Sequence, residues 1–204
     1  MRLIGMLDSP YVRRVAISLR LMEVPFAHEA LSVFRNFEAF SAINPVVKAP
    51  TLVTDDDVVL MDSALILEYL ERLVPSERSL TPRETAAHAR AQRIVGLALA
   101  ASDKSVQIVY ERTLRPEEKQ HQPWLDRVQG QLEAAYRLLE QEVAAAKPWL
   151  FANRPLQADI TSAVAWRFTQ MELPGLIPAK DYPALAAISA RAENMPAFLA
   201  FPPY

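Results

Sequence analysis

The 204-residue chain contains no cysteine. That absence excludes disulfide staples, thiolate metal sites and a protein-borne thiol acting as nucleophile or redox carrier, so any sulfur chemistry must arrive with a ligand. Glycine is nearly as scarce, with four residues in all, which leaves no phosphate-cradling loop to propose. An excess of either charge is also missing: 22 Lys and Arg stand against 24 Asp and Glu, and nothing resembles the basic footprint of a nucleic-acid binder. No apolar run reaches the roughly 18 residues of a membrane span, and the opening segment lacks the apolar stretch and cleavage site of an export signal. A cytoplasmic address is expected. The three histidines, His28, His88 and His121, show no metal-site spacing and no partner serine in a GxSxG elbow, so no metal is implied.

What is present suits a globular protein. With 51% hydrophobic residues, a chain of this length can build one large core or two domains of roughly a hundred residues each. "LIGML" (Leu3 to Leu7) reads as a strand, and Pro10 to Met22 places Val12, Val15, Ala16 and Leu19 on one face of a helix. A second strand is predicted near Phe26 to Leu31, then a polar loop around Arg35 and a short helix from Phe37 to Ile43. The helix between the first two strands implies that they run parallel. Thr51 to Thr54 and Val58 to Met61 read as a hairpin across an aspartate-rich turn, and Ser63 to Leu73 as a helix with Leu65, Ile66, Tyr69, Leu70 and Leu73 inward. The order is β-α-β-α-β-β-α over residues 1–74.

"VPSERSLTP" then reads as a linker over 75–82, and everything from 83 to 204 favours helix. The predicted helices run from Arg83 to Tyr110, Pro123 to Ala146 and Gln157 to Thr169, with a fourth from Pro183 that fades before Pro196. Asp159 is expected to accept backbone N–H bonds at the start of its helix, although the partner serine or threonine of a capping box is replaced by Leu156. The fold class is therefore α/β plus all-α.

Three short stretches each allow a structural explanation. Ser9 and Pro10 fit the N-cap and N1 positions of a helix. Pro50 suits the first residue of a strand, where no N–H is needed. Asp62 and Ser63 suit a helix start. Local spacing does not decide whether Ser9 also handles chemistry.

Taken together, "SP" opening the first helix, "NPVVKAPTL" (Asn44 to Leu52) leading into the third strand and "DSALILEYL" (Asp62 to Leu70) opening the last helix of the first domain resemble the glutathione S-transferases, bacterial-type members with serine at the catalytic position. The resemblance covers essentially the whole chain and implies a thioredoxin-like first domain followed by an all-helical one. It also implies glutathione as co-substrate. The Ala49–Pro50 bond would be cis, turning the backbone of Ala49 toward the cysteinyl residue of the tripeptide, which pairs there like an added strand. Lys48 would sit near a carboxylate of the peptide. Asp62 would take the γ-glutamyl ammonium, and Ser63, with helix N-terminal N–H groups, its carboxylate. Arg35, in the loop with Phe34 and Asn36, falls where members contact the glycyl end. Ser9 would face the thiol. A free thiol has a pKa of about 8.5, and a hydroxyl donor at the positive end of a helix lowers it.

For the electrophile, the resemblance points to Asp103, Gln107 and Tyr110 on the first helix of the second domain. It also implies a homodimer, in which an acid near Asp103 reaches the γ-glutamyl group of the neighbouring site. The chain departs from the family pattern at Val47, where many members have glycine, and at Leu156. The leading reading is a transferase that directs the glutathione thiolate onto electrophilic small molecules and serves detoxification. The alternatives are a glutathione-dependent isomerase, dehalogenase or ether-cleaving enzyme acting on a dedicated metabolite, and a non-catalytic binding protein that keeps the fold. "DSPYV" lacks the double serine and cysteine that the resemblance associates with isomerases.

Overall fold

A computed structural model describes residues 1–203. Its first elements are β1 (Arg2–Ile4), α1 (Pro10–Leu21), β2 (Ala27–Glu29), α2 (Phe37–Ile43), β3 (Thr51–Val53), β4 (Val59–Met61) and α3 (Ser63–Glu71). The sheet order is β2-β1-β3-β4. β1 and β2 are parallel, as their helical crossover requires, whereas β3 lies antiparallel to both β1 and β4. Alternation along the strands separates two buried faces. Ile4 and Val53 pack with Phe40 of α2, and the paired Leu3 and Leu52 point to the opposite side. The β3–β4 hairpin turns where Asp57 adopts a φ of 59°, a conformation that aspartate tolerates better than most residues.

The helical elements are α4 (Thr85–Leu114), α5 (Gln122–Val143), α6 (Gln157–Glu172) and α7 (Pro183–Glu193), with 3₁₀ turns at Glu117–Lys119 and Ala179–Asp181. α4 packs against α5 and α6, and α7 against α6 and α5. The apolar stripe read on α5 is the one buried: Leu125, Val128, Leu132, Leu139 and Val143 join Ile94, Ala98 and Ile108 of α4 and Ala158, Ala165 and Trp166 of α6 in one core. Within it the Tyr136 hydroxyl donates to the carbonyl of Ala165 at 2.9 Å, and Ser105 bonds Thr169 at 2.7 Å, which satisfies polar groups that burial would otherwise penalise. No helix among the described residues is long and apolar enough to cross a membrane.

The chain divides into two compact units, Met1–Thr81 with Asn194–Tyr204, and Pro82–Glu193. The segment that begins at Asn194 therefore differs from its sequence-based placement with the helices. It carries a short helix, α8 (Pro196–Leu199), that packs on α1. The reason is Arg13: its Nε donates to the carbonyl of Phe201 at 2.8 Å and its guanidinium lies 5.6 Å from the centre of the Phe198 ring, a cation–π contact.

At the start of α6, Asp159 is fully buried and does what its position suggested. One carboxylate oxygen accepts the N–H of Leu150 and the other that of Leu156, both at 3.0 Å. Leu156, the N-cap, has no acceptor to return the bond, so only the acid half of a capping box operates. Burial pushes the Asp159 carboxyl up from 3.8 to about 6, with the backbone donors and Arg191 pulling it back. The folded chain thus holds more protons than the unfolded chain between those two values, and this group's contribution to stability falls as pH rises through that window. Asp159→Asn turns an NH₂ toward one of the two backbone donors and is expected to cost about 1–3 kcal/mol. In urea denaturation the wild-type advantage over the variant should shrink from pH 3.8 to about 6 and stay flat above. An advantage that grows with pH would contradict a carboxyl raised by burial.

Candidate functional site

The site is built around the end of β1. Gly5 has a φ of 139°, and a Cβ added to it would lie 2.6 Å from Val12 Cγ2 and 3.1 Å from Ala49 Cβ. Only glycine lets the first turn of α1 and the loop before β3 approach the same backbone atom. The peptide is pinned there: the N–H of Gly5 donates to the carbonyl of Glu29 at 3.0 Å, and His28 Nε2 donates to the carbonyl of Gly5 at 2.8 Å. The bond to a carbonyl puts the ring proton on Nε2.

Ser9 is the N-cap of α1, with Pro10 at N1. Its half-buried hydroxyl accepts the N–H of Val12 over 3.4 Å, a long bond at the edge of the useful range. Accepting occupies a lone pair and leaves the hydroxyl hydrogen available to donate.

The loop from Asn44 to Pro50 is shaped by buried polar groups that sequence reading did not assign. Asn44 Nδ2 donates to Thr51 Oγ1 at 2.8 Å, and the Thr51 hydroxyl donates to the carbonyl of Lys48 at 2.8 Å. Asn44 Oδ1 receives the N–H of Val46 at 3.1 Å. Val47 has a φ of 53°, which is unfavourable for a β-branched residue and explains why glycine would suit the position. Its side chain packs against the cluster of Ile4, Phe40 and Val53, an apolar gain that offsets the backbone cost. The Ala49–Pro50 bond is cis.

Asp62 caps α3 with φ 71° and ψ 120°, its carboxylate accepting the N–H of Ala64 at 2.9 Å. Such a backbone persists only where its surroundings over-determine it, a situation that clusters at functional sites. The other carboxylate oxygen lies 3.6 Å from Lys48 Nζ. This pair is half exposed and worth on the order of 0–1 kcal/mol, so it keeps the acid near the loop without locking it. Ser63 is buried, and its Oγ accepts a hydrogen from Arg14 Nη1 at 3.1 Å. Arg14, on α1, is 3% exposed. Burial brings its guanidinium down from 12.5 to about 10, against the opposing pull of Asp62 and Tyr11; it remains charged at neutral pH. Sequence reading missed Arg14, although a signal exists: the pair Arg13–Arg14 is bracketed by Val12, Val15, Ala16, Ile17 and Leu19, which leaves α1 little room for a solvated face.

Ser9, Lys48, Ala49, Pro50, Asp62 and Ser63 thus belong to one stitched set: α1 touches the loop at Gly5, the loop reaches α3 through Lys48 and Asp62, and α3 returns to α1 through Ser63 and Arg14. Arg35 stands on the loop between β2 and α2 with its side chain exposed; its N–H donates to Ser32 Oγ at 3.2 Å. Asp103, Gln107 and Tyr110 are all on α4, in the other unit. There Gln107 Nε2 donates to Asp103 at 2.8 Å, Lys104 pairs with the same carboxylate at 2.9 Å, and Tyr110 is exposed.

Comparison with known proteins decides the family. The glutathione S-transferase N-terminal domain model matches residues 3–78, and the glutathione S-transferase C-terminal domain model matches residues 122–191. The chain belongs to the glutathione S-transferase family. Its fold is accordingly the family's thioredoxin-like domain with a C-terminal helical domain. A glutathione S-transferase of Methylobacterium radiotolerans, solved with glutathione sulfonate, superposes with a TM-score of 0.91 at 27% identity, covering 100% of this chain and 94% of that one. A family member of Pseudomonas fluorescens Pf-5, bound to S-(propanoic acid)-glutathione, gives 0.84 at 31% identity over 98% of each chain. Among curated proteins, the uncharacterized GST-like protein YibF of Escherichia coli is 29% identical over 69% of this chain and 68% of its own length. The maleylacetoacetate isomerase of Pseudomonas aeruginosa is 26% identical over 72% and 71%.

Substitution of glycine separates the role of Gly5 from a general effect. Gly5→Ala should lower stability by about 1–3 kcal/mol through overpacking against Val12 and Ala49 and distort the loop that carries Ala49. Gly130→Ala, on α5 with nothing within 4 Å, should instead raise stability by about 0.5–1 kcal/mol. Chemical denaturation of both variants checks this; a neutral Gly5→Ala would mean that the close approach does not shape the site.

Proposed function

We propose that the chain is a glutathione transferase in which Ser9 keeps the sulfur of glutathione ionised for attack on an electrophilic carbon. The observation that carries this reading is the position of Ser9: a hydroxyl with a hydrogen to donate, at the amino end of the twelve-residue helix α1, joined through Gly5 to the loop that bears Ala49. Ala49 pairs its N–H and C=O with the cysteinyl backbone, and Pro50 fixes the turn into β3. Asp62 takes the γ-glutamyl ammonium, Ser63 and the first N–H groups of α3 its carboxylate, Lys48 a carboxylate of the peptide, and Arg35 the glycyl end. Relatives of the same fold solved with glutathione sulfonate and with S-(propanoic acid)-glutathione support the choice of ligand.

In the reaction the thiol proton leaves to solvent. The Ser9 hydroxyl and the partial positive charge of the α1 terminus stabilise the thiolate, which forms a carbon–sulfur bond as the leaving group departs or a strained ring opens. Ser9 itself makes no covalent bond. The electrophile is received by Asp103, Gln107 and Tyr110, and the protein works as a homodimer in the cytoplasm with a detoxifying role. An isomerase reading draws support from the Pseudomonas aeruginosa relative, but the double serine and cysteine associated with that chemistry are absent from "DSPYV".

Ultraviolet titration of bound glutathione tests the assignment. The wild type is expected to depress the thiol pKa by one to two units from its free value, each unit being worth about 1.4 kcal/mol. Ser9→Ala should still bind glutathione but lose most of that depression, and at neutral pH its rate with an aryl halide should fall about tenfold to hundredfold. Equal thiol pKa values in the two proteins would remove Ser9 from the chemistry; a panel of epoxides, organic peroxides and cis-olefinic acids then separates conjugation from isomerisation.

A further inference from the structure

We infer that a cleft on the first unit, sharing no residue with the site around Ser9 and Asp62, is a second small-molecule site, for an aromatic acid that carries a phenolic hydroxyl. The cleft has a volume of about 640 Å³, within the range of small-molecule sites. Arg20, Glu23, Phe26, His28 and Phe201 line it together with the buried Leu19. All of them belong to one compact unit, Met1–Thr81 with Asn194–Tyr204. Ser9 caps the start of α1 and Arg20 stands in its last turn, so at about 1.5 Å per residue the two lie about 16 Å apart along the helix.

His28 decides what the occupant must donate. Its Nε2 donates to the carbonyl of Gly5 at 2.8 Å, so in the neutral ring Nδ1 carries a lone pair and no hydrogen. The same bond fixes the orientation of the ring, which β2 holds opposite Leu3 of β1. Nδ1 has no partner among the described residues and is not sealed from solvent, and the ring lines the cleft. An acceptor preset in this way calls for a hydroxyl or N–H donor and gains nothing from a second acceptor.

Charge and shape add two further demands. No hydrogen bond or ion pair among the described residues engages the Arg20 guanidinium, while the acid of the cleft, Glu23, lies 3.5 Å from Arg78. One acid between two arginines leaves the rim with positive charge to spare. Arg20 also complements the carbonyl end of α1, a role that engages none of its N–H donors. That end repels an anion little, because the N–H groups of Met22, Val24 and Glu23 already take the carbonyls of Ser18, Leu19 and Arg20. Phe26 and Phe201 stand with ring centres 5.6 Å apart and planes inclined by 34°, a half-buried aromatic wall against which a third ring packs. An aliphatic acid would satisfy Arg20 and leave Nδ1 without a donor; a phenol without the acid would leave Arg20 unpaired. A phenolic acid meets all three surfaces at once.

Nuclear magnetic resonance of the full chain, ¹⁵N-labelled and held at mildly alkaline pH, tests the site with 4-hydroxycinnamate, cinnamate and 4-hydroxycinnamamide. His88→Gln and His121→Gln identify the ring signals of His28 by elimination, and backbone amide signals around the cleft give the affinities. 4-Hydroxycinnamate should move the Nδ1 signal of His28 to lower frequency, as a lone pair does on accepting a hydrogen bond, with a dissociation constant on the order of 1 mM or tighter for a ligand of this size. Cinnamate, which has no donor, should leave Nδ1 in place and bind about threefold to tenfold more weakly. The amide should bind about twofold to fivefold more weakly than the acid at low ionic strength, and Arg20→Gln should erase that difference by weakening the acid alone. An Nδ1 signal unmoved by saturating 4-hydroxycinnamate, or moved equally by cinnamate, would overturn the site. So would equal affinity for acid and amide in the wild type, an acid–amide difference that survives Arg20→Gln, or no saturable shift by about ten times the expected constant. These outcomes are separate from the glutathione reading, which none of the three probes tests.

Discussion

A backbone without a side chain lets the parts of the site meet. At Gly5 the end of β1 comes so close to Val12 and Ala49 that a single added carbon would stand 2.6 Å from one and 3.1 Å from the other. Because Val12 is β-branched and stiff about its first torsion, the first turn of α1 has little freedom to yield. The consequence runs outward in both directions: α1 begins where Ser9 caps it, and the loop before β3 is held against the same strand end. Asn44 and Thr51 then fix the far side of that loop through buried hydrogen bonds to Val46 and Lys48.

On this frame the site places charge in a definite order. α1 and α3 both present amino ends, each capped by a side chain that also faces outward, Ser9 and Asp62. An amino end of either kind favours an anion. Asp62 keeps a backbone conformation rare for a non-glycine residue, and Arg14 keeps a charge out of water. Both cost free energy that an apolar contact would not, which is why they mark function better than the apolar core does.

Much of the architecture was legible from periodicity. α2 spans the residues expected of it, Phe37–Ile43, and the parallel pairing of β1 with β2 follows from the helix between them. The strands proved shorter than their apolar runs, β1 stopping at Ile4 because Gly5 leaves the ladder with a φ of 139°. α8 and the return of the last segment to α1 were not legible, since they depend on Arg13 finding the Phe201 carbonyl 188 residues away. At the site, the positions of Ser9, Asp62 and Ser63 as caps and helix start could be read locally. Their connection could not: the bond from Arg14 to Ser63 spans 49 residues, and Val47 adopts a glycine-like φ that its side chain disguises.

The most direct measurement is the structure of this chain bound to glutathione. The expected result is a sulfur atom within hydrogen-bonding reach of Ser9 Oγ, with the cysteinyl backbone paired to Ala49 and the γ-glutamyl carboxylate on Ser63. A sulfur directed away from the amino end of α1, with the tripeptide still bound across Ala49 and Ser63, would contradict the assignment of Ser9 as the group that holds the thiolate.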